Sequence, residues 1–66
     1  MLYPRDMTNT AAAAKLIARR VSKGYNAAES TAMLDDLIAR HDGDNLVTAL
    51  VYNGFATERT AQRFAA

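Results

Sequence analysis

The chain has 66 residues, a formal net charge of +1 and no cysteine. That length allows one small domain over residues 1–66, burying only about 60% of the surface its unfolded chain exposes. Without cysteine there is neither a disulfide staple nor a thiolate metal site, and 14 of its 33 hydrophobic residues are alanine, so a thin core points to a homodimer as the source of extra burial.

The pattern predicts an all-α protein. A helical hairpin over about residues 10–42 is followed by one or two short helices. Residues 1–7 are expected to be extended or disordered, because Met7-Thr8-Asn9-Thr10 reads as an ordinary protein start and residues 1–6 as an addition ahead of it. The first helix is expected to begin near Thr8 or Thr10, either of which can cap by accepting a backbone N–H. Ala11 to Ala14 form the strongest helix-forming run. Ala13, Ile17 and Val21, with Ala14 and Leu16 at the edges, make an apolar stripe. Lys15, Arg19 and Lys23 recur on another face with Arg20 beside them, and Gly24 is placed to end the helix in the left-handed region.

Asn26 is the expected N-cap of the second helix, with Glu29 three residues on. Its apolar positions are Thr31, Leu34, Leu37 and Ile38, flanked by Met33. Ser30 reads as polar filler in the first turn. Arg40 and His41 fall in the last turn, where positive charge meets the helix dipole favourably. Gly43 is expected to end it and Asp44 to cap a third helix over residues 45–53. Residues 46–52 also suit a strand, and Asn53-Gly54 is a strong hairpin-turn signal. The following segment decides for helix–Gly–helix. It is poor in β-branched apolar residues, and Ala61, Phe64 and Ala65 fit a helical face capped by Thr57.

Charge is unevenly placed. Residues 7–28 carry +4, residues 29–44 carry −4 and residues 45–66 carry +1. Blocks of opposite sign suit pairing between helices, within the chain or across a dimer.

Little here points to catalysis. A nucleophile needs a base oriented beside it, and the chain has one histidine and two serines, Ser22 and Ser30, with no glycine-rich elbow. His41-Asp42-Gly43-Asp44 lacks the further acids and terminal glutamate of a calcium loop and reads as a helix stop and start. Asp35 and Asp36 diverge by about 100° on a helix and do not converge on one atom. No enzyme activity, cofactor or metal is therefore expected. The start has no apolar signal region, and the longest apolar run, residues 46–52, is far short of the roughly 18 residues of a membrane span. A cytoplasmic location follows as the expectation.

Binding residues are easier to nominate. The basic ridge Lys15, Arg19, Arg20 and Lys23 suits phosphates or an acidic surface. Asp35 and Asp36 belong to an acidic face. Tyr25, Met33, Tyr52 and Phe55 lie at element ends or edges and are of interface type. Residues 46–65 also admit a helix-turn-helix in which Arg59, Gln62 and Arg63 face nucleic acid.

The run Met7-Thr8-Asn9-Thr10-Ala11-Ala12-Ala13-Ala14-Lys15-Leu16-Ile17-Ala18-Arg19-Arg20, followed by Gly24-Tyr25-Asn26-Ala27-Ala28-Glu29, resembles the small quorum-sensing anti-activators of temperate Pseudomonas phages. The resemblance rests on the overall look of most of the chain rather than on a motif. It implies a helical dimer that binds a LuxR-type transcription activator at its DNA-binding domain. It also implies a second host target, the ATPase that drives type IV pilus assembly. No residue signature carries over. Other small phage inhibitors, anti-CRISPR proteins among them, are similar in composition. The expected function is a non-enzymatic inhibitor of a bacterial protein, and the alternative is a small DNA-binding regulator using residues 46–65.

Overall fold

The computed structural model describes the backbone of residues 2–65 and the side chains of residues 11–65. Four helices follow in order: α1 Leu2–Ser22, α2 Ala27–Arg40, α3 Gly43–Tyr52 and α4 Glu58–Ala65. No strand occurs among the described residues, so the all-α expectation holds and the hairpin reading of residues 46–56 is excluded. Helices α1 and α2 form the expected hairpin. α3 packs most extensively on α4, which also touches α1.

α1 starts earlier than its composition suggests. It begins at Leu2, so an extended segment over 1–7 and a start near Thr8 or Thr10 are both corrected for residues 2–7. Pro4 falls in the first turn, where its missing N–H has no intrahelical acceptor to lose. Thr8 and Thr10 are then interior.

Two helices end alike. Gly24, at φ 103°, donates to the Val21 carbonyl at 2.9 Å, and Tyr25 N–H reaches the Arg20 carbonyl at 3.3 Å. Gly54, at φ 79°, donates to Val51 at 3.1 Å, and Phe55 N–H to Leu50 at 2.9 Å. Each pair is the double closure that a glycine in the left-handed region permits. In both, the residue just past the glycine is aromatic and folds back over the helix end.

The starts are more varied. Asn26 caps α2, its Oδ1 accepting from the Glu29 N–H at 3.0 Å. Thr57 caps α4, its Oγ1 accepting from Thr60 N–H at 3.3 Å. The α2–α3 junction departs from expectation. α2 stops at Arg40, His41 and Asp42 are extended, and Gly43 is the first residue of α3 rather than the end of α2. Asp42, not Asp44, stands at the N-cap, with no side-chain bond. Two extended residues reverse the chain without needing a longer glycine turn.

The core is small. Leu16, Leu34, Leu46, Leu50, Phe55, Ala56 and Ala61 are buried together, with Ala13, Ile17, Leu37, Val47, Phe64 and Ala65 packed against them. The α1 stripe is therefore rotated from the expected one. Leu16 lies at its centre, Val21 is 41% exposed, and Arg20 occupies the core position. On α2, Ser30 is fully buried while Thr31 and Ile38 face out.

Candidate functional site

Arg20 draws together three of the residues expected at a binding surface. Its guanidinium lies 4.0 Å from the Tyr25 ring centroid and 4.9 Å from that of Phe55. Nη1 donates to the Met33 sulfur at 2.9 Å and to the Asn53 carbonyl at 3.1 Å. Lys23 Nζ approaches the Gly54 carbonyl at 3.5 Å. Two cations from the end of α1 thus meet the carbonyls at the C-terminus of α3, where the helix carries partial negative charge. A buried cation needs such partners, because no water remains to solvate it. Arg20 has no carboxylate partner among the described residues, and its Nε has no hydrogen bond.

This cluster corrects two assignments. Arg20 is only 8% exposed and Phe55 is fully buried, so neither offers its side chain to a partner. Both hold helix ends together. Tyr25 and Met33 remain partly exposed at the edge of the cluster.

The other nominated residues stay on the surface but do not form one site. Lys15 and Arg19 are exposed on α1, Lys23 just past its end, and Asp35 and Asp36 on α2. Asp36 pairs with Arg40 at 3.1 Å, one turn along the same helix. That is the one ion pair among the described residues, and at this exposure such a pair contributes little. Among the described residues, the basic α1 and acidic α2 therefore lie in one hairpin without direct ion pairs between them. Arg59, Gln62 and Arg63 are exposed on α4.

A surface absent from the nominations, apart from Tyr52, lies on α3. Tyr52 is 87% exposed. It borders two open clefts, one of about 300 Å³ lined also by Val47, Thr48, Val51 and Glu58. The other, of about 560 Å³, is shared with Leu37, His41, Asn45, Thr48, Ala49 and Asn53. Thr48 and Tyr52 line both, so they form a ridge between two grooves. The signal in the sequence is the spacing Asp44, Thr48, Tyr52, which puts these residues on one helical row.

Neither serine hydrogen-bonds a base among the described residues. Ser30 is buried without a hydrogen bond, and Ser22 Oγ donates to the Arg19 carbonyl at 2.6 Å. No group of three or more potential metal ligands lies together among the described residues, nor is any described helix long and apolar enough to cross a membrane. Comparison with protein-family models, with curated proteins and with solved structures finds no match to this chain.

Proposed function

We propose that this protein is a non-enzymatic, phage-encoded inhibitor that acts in the bacterial cytoplasm as a homodimer. It binds and blocks a LuxR-type transcription activator. The observation that carries this reading is the segregation of charge. Glu29, Asp35, Asp42 and Asp44 are exposed and have no ion-pair partner among the described residues, although α1 supplies cations in the same hairpin. An unneutralised acidic face is complementary to a surface built for phosphates, as the DNA-binding domain of an activator is. A standard interface of about 800 Å² per partner is within reach of such a chain. The exposed cations Lys15, Arg19 and Lys23 form a second charged face, available to another target such as the pilus-assembly ATPase.

The test is paired charge reversal. Asp35→Lys with Asp36→Lys, and separately Arg19→Glu with Lys23→Glu, are titrated against a purified activator DNA-binding domain. The acidic pair is expected to abolish binding and the basic pair to spare it. If neither changes affinity, the electrostatic basis of the reading is lost. Light scattering on the free protein reads the dimer directly.

One observation favours a second reading. The segment from α3 through Gly54 to α4 folds as helix–turn–helix, and Arg59, Gln62 and Arg63 are all exposed. As a DNA-binding regulator, the protein would show duplex binding that falls steeply with salt and is lost in Arg59→Ala or Arg63→Ala. The absence of binding at low salt removes this reading.

A further inference from the structure

We infer that the exposed face of α3 docks a single amphipathic helix of the partner protein, one whose apolar stripe is flanked by lysine or arginine. The inference rests on the protein-binding reading above and specifies where and what the protein grips.

Shape is the first argument. The ridge Thr48–Tyr52 continues the row of Asp44, and a cleft runs along either side of it. A row of side chains spaced four apart, with a groove on each flank, is the surface against which another helix packs ridge into groove. Among the described residues the ridge stays uncovered: α2 borders one cleft through Leu37 and His41, α4 borders the other through Glu58, and Phe55 belongs to the core. Val51 and Tyr52 are left exposed at 40% and 87%. Tyrosine suits this position, since its ring supplies contact area and its hydroxyl keeps a polar partner.

Charge is the second argument. No lysine or arginine lines either cleft, whereas Glu58 lines one and Asp44 begins the ridge. Residues 29–44, which lead into this face, carry a net −4. Acids at Asp44 and Glu58, with no cation among the lining residues, favour a helix with cationic flanks over an acidic one. A second copy of this chain offers no such helix. Its cationic helices, α1 and α4, already bury their apolar sides in their own core through Leu16 and Ala61.

The test uses the ¹⁵N-labelled full chain and two synthetic helices of about 18 residues, or five turns. One is built from leucine and lysine, the other from leucine and glutamate with the same spacing. The lysine helix is expected to shift the amides of Val47, Thr48, Val51, Tyr52, Leu37 and His41. It should bind at least about tenfold more tightly than the glutamate helix, and Tyr52→Ala should cost about tenfold in its affinity. Tyr52 is almost wholly exposed, so this variant keeps its fold, which its own amide spectrum verifies. Shifts confined to Glu29, Asp35 and Asp36 would overturn the groove, as would equal affinity for the two helices. Concentration-dependent shifts at Val51 and Tyr52 without any peptide would also overturn it, by making a second copy the occupant. Activator binding that survives Tyr52→Ala but not the Asp35/Asp36 reversal refutes the groove and leaves the inhibitor reading standing. Lysine-helix binding that depends on Tyr52, with no activator binding, does the reverse.

Discussion

Replacing Arg20 tests whether a buried cation without a carboxylate can stabilise a domain this small. Arg20→Ala removes a charge-assisted bond to the Asn53 carbonyl at 3.1 Å, worth about 1.5–3 kcal/mol. It also removes the guanidinium from the faces of Tyr25 and Phe55, worth about 1–2 kcal/mol when desolvated. Loss of the unbonded Nε offsets about 1–2 kcal/mol of that. The net cost is therefore about 2–3 kcal/mol, against roughly 3–10 kcal/mol for a whole domain of this length. The melting midpoint should fall by about 10–20 °C, read by circular dichroism at fixed protein concentration, with urea titration giving the free energy. Arg20→Met separates charge from volume. It retains the packing but loses the bonds to Asn53, and should recover less than half of the loss. Equal stability of Arg20→Met and the parent would refute the reasoning, because buried ionic groups are often no better than apolar replacements of similar volume.

The remaining changes probe the helix ends and the core. Gly54→Ala should cost about 1 kcal/mol through its left-handed backbone alone, since the added Cβ meets nothing nearer than Lys23 Nζ at 3.5 Å. A loss above about 3 kcal/mol by chemical denaturation would show that the contact matters instead. Asn26→Ala should cost about 1 kcal/mol by removing the bond to Glu29 N–H, while Asn26→Asp should retain it. Ser30→Ala should be neutral or stabilise by up to about 1 kcal/mol, because the buried Oγ has no partner; a clear loss would reveal a hydrogen bond there. Leu50→Ala, at a fully buried position, should cost about 2–5 kcal/mol, enough to leave the chain largely unfolded at 37 °C by amide dispersion.

Much of the fold is legible in the residues because helix ends are chemically specific. Asn26, Thr57, Gly24 and Gly54 each fill a role that few other residues fill well, and all four occupy those roles. The faces are less legible. On α1 the core runs through Ala13, Leu16, Ile17 and Arg20, which is a regular helical stripe. Residue type hides it, because arginine is ordinarily counted as surface. Reading Val21 in place of Arg20 rotates the stripe and turns a structural cation into an apparent member of a binding ridge. The position of Asp42 was obscured for a different reason. Two acids around a glycine, Asp42-Gly43-Asp44, offer equivalent starts for α3, and only the backbone decides between them.

Tyr52 and Phe55 show where local pattern ends and tertiary structure takes over. Both are aromatic, both flank Gly54, and both look like interface residues in the sequence. The double hydrogen-bonded closure at Gly54 sends the residue after it back across the helix end. Phe55 therefore enters the core against Arg20, while Tyr52, still on the last turn of α3, is left facing outward. The same turn brings the carbonyls of Asn53 and Gly54 to Arg20 and Lys23. Arg20 at the end of α1 and Lys23 just past it are thereby engaged by backbone rather than by the acids of α2. The turn that closes the core thus also leaves Tyr52 exposed at the end of α3. Substitutions in it should weaken binding only as far as they unfold the protein, whereas Tyr52→Ala should weaken binding with no loss of stability.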